Sequence, residues 1–258
     1  MIRGGRTYRS ECIVLKSMAL GEADLLMTLY TKETGKLRAM ARGVRKPTSR
    51  MVGHLEPLTR VELALARGRS LDVVTQAQVL ESFSDLKNHL TSVSSGLYLA
   101  ELVDGFGVEG SANPELYSLL IEALRYLEEG PGLELVLRYF ELHLLKSSGF
   151  SPELYHCVKC RRLIVEGEHL FSPDLGGTLC SQCIPTDVLI RPLSIQALKV
   201  LRFFGRSGLP GLDRLHVDKN LAEELKGLLA AAVRYWLDRE IRSKSFLEHL
   251  QHAQRTGV

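Results

Sequence analysis

The spacing of apolar residues changes character near Leu80 and divides the chain there. Upstream, apolar residues come in short runs. Five of these, Glu11–Met18, Asp24–Thr31, Lys36–Gly43, Leu58–Ala66 and Leu71–Leu80, have the length of strands. Alternation is clearest in two. Val61, Leu63 and Leu65 face away from Arg60, Glu62 and Ala64, while Arg38, Met40 and Arg42 share one face and Leu37, Ala39 and Ala41 the other. Turn residues separate the runs: Gly21-Glu22, Thr34-Gly35, Pro57 and Arg67-Gly68-Arg69. Five short strands predict a small closed barrel, most economically a five-stranded OB-fold; a three- or four-stranded sandwich fragment also fits.

From Ser84 the period becomes helical. The apolar pattern predicts a helix over Asp85–Gly105. A second starts at Asn113, a good N-cap, with Pro114 in the first turn, and stops at Gly130-Pro131. A third, Gly132–Ser148, is apolar nearly all round and therefore belongs in the centre of a bundle. Ser194 can cap Ile195–Phe204, and Asn220–Ile241 carries a stripe of Leu221, Leu225, Leu228, Leu229, Ala232 and Trp236. The tail from Phe246 reads as a short fraying helix. The expected class is α+β: an OB-fold barrel over residues 1–82, then an all-α helical body over 83–150 and 187–258, with a cysteine-bearing module inserted at 151–186.

Charge adds a direction to this plan. Met1 to Ser70 carries 14 basic against 6 acidic residues, and the rest of the chain 19 against 24. A basic first third on a mildly acidic body suggests an anionic partner for the barrel alone. The excess concentrates between Thr34 and Leu55, where six basic residues, Lys36, Arg38, Arg42, Arg45, Lys46 and Arg50, stand with no acidic one. Sheet-borne cations followed by a loop free to wrap a backbone make a phosphate clamp; the bland alternative is a solvated charged face. The barrel region holds only two aromatics, Tyr8 and Tyr30, so few bases can stack on rings. Binding is expected to be led by the backbone, weakly specific and tolerant of duplex.

Four of the five cysteines form two CxxC knuckles, Cys157/Cys160 and Cys180/Cys183, with 19 residues between them. Each knuckle sets two sulfurs on one side of a turn, and two knuckles complete a tetrahedron around Zn²⁺. Four protein ligands leave no position for substrate, so one structural zinc ion is expected per chain. A pair of disulfides, or an empty degenerate site, is the alternative. His156 and His169 read as ordinary histidines beside four well-spaced thiols, and Cys12 as a small core residue.

Signals for catalysis are poor. There is no Walker-type loop, no Gly-x-Gly-x-x-Gly after a strand and no Gly-x-Ser-x-Gly. The longest wholly non-polar run of the helical half, Gly227–Val233, is far too short to span a bilayer. No apolar stretch or cleavage site follows the basic Met1–Arg6, so a cytoplasmic protein with reduced thiols is expected.

Ser10-Glu-Cys-Ile-Val-Leu-Lys16, Gly21-Glu-Ala-Asp24, Leu29-Tyr-Thr-Lys-Glu-Thr-Gly35-Lys, Ala41-Arg-Gly-Val-Arg-Lys46 and Gly149-Phe-Ser-Pro-Glu-Leu154 before the two CxxC pairs occur in an order and spacing that resemble the bacterial RecO-type recombination mediators. The resemblance spans essentially the full length. It implies an N-terminal OB-fold, a helical body and a zinc-binding insert, and a function without catalysis. Such proteins bind single- and double-stranded DNA, anneal complementary strands and help load a RecA-type recombinase where single-strand-binding protein coats the DNA. Their usual partners are RecR and the acidic tail of the single-strand-binding protein. An RNA-binding zinc-ribbon protein linked to translation or RNA metabolism would satisfy the same charge and cysteine pattern, and a nuclease or transferase with an unrecognised site is the third class.

Overall fold

The computed structural model describes residues 7–49, 51–129, 132–185 and 189–237. The chain divides after Glu129 into two compact units. No described helix is long and apolar enough to cross a membrane.

In the first unit, strands β1 (Thr7–Leu20), β2 (Asp24–Thr31), β3 (Gly35–Ala41), β4 (Arg60–Ala66) and β5 (Asp72–Glu81) close into a barrel in the order β1-β2-β3-β5-β4. Every pairing is antiparallel except β3 with β5. Closure removes the sandwich fragment as an alternative and gives each of the five strands a neighbour on both sides. Cys12, Val14, Met27, Leu29, Ala39, Ala41, Val61, Leu63, Leu65 and Val74 fill the interior. Gly35, with φ +69°, turns β2 into β3 where a Cβ would lie 1.9 Å from the Ser111 carbonyl oxygen. Cys12 is fully buried, as expected, and burial pushes its thiol upward.

One irregularity decides what the barrel shows to solvent. In β1 the register with β2 slips between Val14, opposite Leu29, and Lys16, opposite Thr28. Leu15 is the extra residue of a β-bulge. Were Leu15 paired in regular alternation, Lys16 would follow Val14 into the core. With the bulge, Lys16, Met18 and Leu20 continue the outward series begun by Ile13.

Helices α1 (Ser84–Asn88), α2 (Leu90–Phe106) and α3 (Pro114–Glu129) belong to this same unit. The single helix expected over Asp85–Gly105 is broken at His89, which is extended at φ −113°, ψ 117° and serves as C-cap of α1 and N-cap of α2. Asn88 and His89 are weak helix formers, so the break falls where it costs least. The Asn113 side chain caps α3 by accepting from Leu116 N at 3.0 Å. A network ties the helices to the barrel wall. Arg60 donates to Glu11 and to Glu81, Tyr117 Oη donates to Glu11 at 2.8 Å, and Arg125 Nε to Glu81 at 2.9 Å. Partial burial alone would raise the Glu11 carboxyl, but donation from Arg60 and Tyr117 outweighs it and holds the group below its ordinary range. At Glu81, donation from Arg125 leads the lowering and Arg60 adds to it.

The second unit contains α4 (Leu133–Ser147), α5 (Ile195–Phe204), a 3₁₀ turn (Leu209–Arg214), α6 (Lys219–Leu237) and a small sheet of β6 (His169–Ser172), β7 (Gly177–Cys180) and β8 (Arg191–Leu193) in the order β7-β6-β8. Ser194 caps α5 as expected, accepting from Ala197 N at 3.1 Å. α4 is buried against α5, α6 and the 3₁₀ turn, but its expected lack of polar surface is corrected. Arg138 (5% exposed) donates to Glu141 (0% exposed) at 2.8 Å, so a charged pair lies inside. The two are three residues apart and face each other along one side of the helix. The remaining part of the expected last helix, residues 238–241, and the tail from Phe246 fall outside the described residues.

Candidate nucleic-acid interface and metal centre

Residues directly opposite one another in a sheet point to the same side, so the register lists what the outer barrel face presents across β1, β2 and β3. The first row is Ile13, Tyr30 and Lys36, and it is covered. Ile13 and Tyr30 are 0% and 1% exposed, and Lys36 Nζ donates to the Asp104 carbonyl at 2.7 Å with the Asp104 carboxylate 3.4 Å away. The second row is Lys16, Thr28 and Arg38. The third is Met18, Leu26 and Met40, continued by Val73 of β5. Beyond it come Leu20 opposite Asp24, and Arg42 at the next outward position of β3 after Met40.

The stretch after β3 is pinned rather than free. Asp24 Oδ1 accepts from Gly43 N at 2.7 Å, Ala23 O from Arg45 N at 2.9 Å, and Gly21 O from Arg45 Nη1 at 3.2 Å. Lys46 N donates to Gly43 O at 3.2 Å and Ser49 N to Lys46 O at 2.9 Å, making consecutive turns. The expected wrapping loop is therefore a built shoulder beside the β1–β2 turn, because its own amides find carbonyl partners nearby.

The sequence-predicted basic residues separate on this geometry. Arg38, Arg42, Arg45 and Lys46 are exposed and form no ion pair among the described residues. Lys36 sits apart from them, its charge matched by Asp104. Arg50 lies outside the described residues. Arg9 is paired with Glu62 at 2.7 Å. Lys16, outside the basic run between Thr34 and Leu55, is exposed and stands in one row with Arg38, their strands separated by two spacings, or about 10 Å. The signal for it was the unbroken buried run Cys12–Leu15, which cannot belong to a regular half-buried strand.

In the second unit all four knuckle cysteines converge. Their Sγ atoms lie within 4.8 Å of one another, and the thiols are free rather than paired in disulfides. Local structure sets each sulfur. Arg161 N donates to Cys157 O and Cys157 N to Arg162 O, both at 2.8 Å, which folds the first knuckle back on itself; Arg161 takes φ +63° to close the turn. Pairing of β6 with β7, His169 opposite Cys180, carries the second knuckle to the first. Burial raises the Cys157 thiol, but N–H donation from the backbones of Cys160, Cys180 and Lys159 brings it down to about 6. The Cys160 and Cys180 sulfurs are 3.8 Å apart, which matches the edge of a tetrahedron whose metal–sulfur bonds are about 2.3 Å. The donor set thus fits a thiophilic ion. His156, near Glu153, and His169, bonded to the Val165 carbonyl at 2.6 Å, stand outside the group.

Family comparisons match both parts of the chain. The description "Recombination protein O N terminal" covers residues 5–83 and "Recombination protein O C terminal" residues 88–245. Proteins named DNA repair protein RecO are similar along nearly the whole length. That of Roseiflexus sp. (strain RS-1) is 39% identical, covering 98% of this chain and 89% of the relative. That of Dehalococcoides mccartyi (strain ATCC BAA-2266 / KCTC 15142 / 195) is 35% identical, covering 95% and 97%. That of Desulforudis audaxviator (strain MP104C) is 39% identical, covering 95% and 98%.

Proposed function

This chain belongs to the RecO family, and on that premise we propose that it is a cytoplasmic DNA-repair protein that binds DNA without performing covalent chemistry. It holds single and double strands, anneals complementary strands, and assists a RecA-type recombinase onto DNA coated by single-strand-binding protein. The observation that carries this reading is the set of unmatched cations, Lys16 and Arg38 in one row and Arg42 further along β3, beyond Met40, beside the Arg45–Lys46 shoulder. Annealing needs no reacting group. Two polyanions repel, and a cationic surface that neutralises both lowers the barrier to their encounter. A RecR-type mediator and the acidic tail of single-strand-binding protein are the protein partners of this reading. Zn²⁺ is the ion it assigns to Cys157, Cys160, Cys180 and Cys183, in a structural role.

Neutralising about four to six phosphates of a single strand gives a log–log salt slope of roughly −3 to −4. Arg38→Glu with Arg42→Glu lowers affinity for single strands and duplex alike and flattens that slope by at least about 1.4. A salt titration of labelled single strand against the double variant is the test. Unchanged affinity at moderate salt would place the DNA elsewhere. Incubation of DNA with protein and Mg²⁺ checks the non-catalytic part, and any cleavage product sinks it.

A further inference from the structure

The cations alone do not distinguish a single strand from a duplex, yet the barrel face carries a feature suited to only one of them. Between the Lys16–Thr28–Arg38 row and Arg42 runs an apolar row four strands wide: Met18, Leu26, Met40 and Val73. Met18 is 48% exposed, and Leu26, Met40 and Val73 are half-buried. Nothing in the described residues covers Met18, whereas the Ile13–Tyr30 row on the same face is sealed. On β3 the outward order is Arg38, Met40, Arg42, so the apolar position is bracketed by two charges that have no ion partner among the described residues. Glu22 and Asp24 lie at the hairpin turn, but Asp24 already accepts from the Gly43 amide.

Successive outward rows on a strand are about 6.7 Å apart. Bases stacked in a duplex rise by about half that, roughly 3.4 Å, and hide their faces from a neighbouring surface. A chain that places one residue on each row must be extended and unstacked, with base faces in need of cover. Methionine is suited to that contact: its thioether is polarizable, and its unbranched side chain adapts to rings of different outline.

We infer that the Met18–Leu26–Met40–Val73 row is a base platform, on which unstacked nucleobases lie while Lys16, Arg38 and Arg42 hold the phosphates on either side. The inference rests on the DNA-binding reading above and deepens it. It predicts a preference for single strands, carried by an apolar row in a barrel with few aromatic rings to stack on.

The test uses three labelled probes of equal length: a single strand, the same strand made abasic, and the duplex. The variant is Met18→Gln with Met40→Gln, which keeps side-chain length and should leave the barrel folded, as unchanged circular dichroism would verify. The intact protein binds the single strand about tenfold more tightly than the abasic strand. The double variant loses that difference while duplex affinity and the salt slope stay as they were. If the double variant unfolds, Met18→Gln alone, at the more exposed position, halves the preference on a logarithmic scale. Equal binding of normal and abasic strands by the intact protein overturns the platform, as does full retention of the preference in the folded variant; the row would then serve a protein partner. Arg38→Ala with Arg42→Ala, run beside it, reads the phosphate contacts separately, so failure of the platform and failure of DNA binding are told apart.

Discussion

In the barrel unit charge stays at the edge of water. Arg60, Glu11, Glu81 and Arg125 form a half-exposed chain of ion pairs that staples helices to the wall, and further along the same barrel Lys16, Arg38 and Arg42 are left uncompensated. In the second unit charge is taken inside. Arg138 and Glu141 meet within α4, and four thiols converge beside strands of only three or four residues. A barrel of strands 7 to 14 residues long closes on its own hydrogen bonds and keeps its cations free for a ligand. The β6–β8 module has strands of only three or four residues, and a metal held by its sulfurs would supply the cohesion that so small a sheet lacks. The contrast teaches that a charged group's usefulness depends on whether the fold has already consumed it.

On the zinc reading proposed above, removing the metal should break this contrast most strongly. Structural zinc contributes about 10–16 kcal/mol in small finger peptides, so chelation or Cys157→Ser should unfold this module. Limited proteolysis should then cut within residues 151–185 while the barrel keeps its affinity for DNA. Loss of DNA binding in step with metal would show that the units are not independent in this respect. Next in size is Glu141→Ala, which strands a buried guanidinium and should cost about 3–5 kcal/mol, read by denaturant unfolding. A change below about 1 kcal/mol would mean water reaches Arg138.

Two lysines sharpen the comparison inside the barrel. Lys36→Ala breaks the contact with Asp104 and should cost about 1–2 kcal/mol of stability with the salt slope of DNA binding unmoved. Lys16→Ala should do the reverse, reducing the slope for single strands by about 0.7 with stability intact. Equal slopes for the two variants would erase the distinction between the covered and the bare row. The smallest effect concerns acid. Glu11 and Glu81 have folded values below the ordinary one, so their stabilisation is complete above about pH 4.3 and is lost as pH falls through that value toward the folded ones. The thermal midpoint should drop in that window, and Glu81→Gln should start lower and fall less steeply. Parallel curves would show that Glu81 carries none of the dependence.

Much of this was legible in the sequence wherever the cause is local. A CxxC turn needs only four residues, and alternation in Arg38–Arg42 fixes faces without knowledge of the partner strand. Gly35 and Asn113 mark their turn and cap by chemistry alone. What escaped depends on distant pairing. The bulge at Leu15 is defined by register with β2, and Lys36 is neutralised by a residue 68 positions away. The shoulder at 43–49 looked free because its amide partners belong to the β1–β2 turn. The break at His89 and the Arg138–Glu141 pair were hidden for another reason: periodicity averages over a helix and passes over single positions.

The bulge carries a consequence for how this chain can change. From Lys16 to the hairpin tip, inside and outside are assigned by counting from Leu15, so the parity of that segment matters more than the identity of most residues in it. Deleting Leu15 alone would remove the bulge yet leave Lys16 opposite Thr28 and the outward series intact, whereas deleting Ser17 would turn Met18 and Leu20 toward the interior and Ala19 outward. Substitutions along this edge can be gradual; a change of length by one residue beyond the bulge cannot.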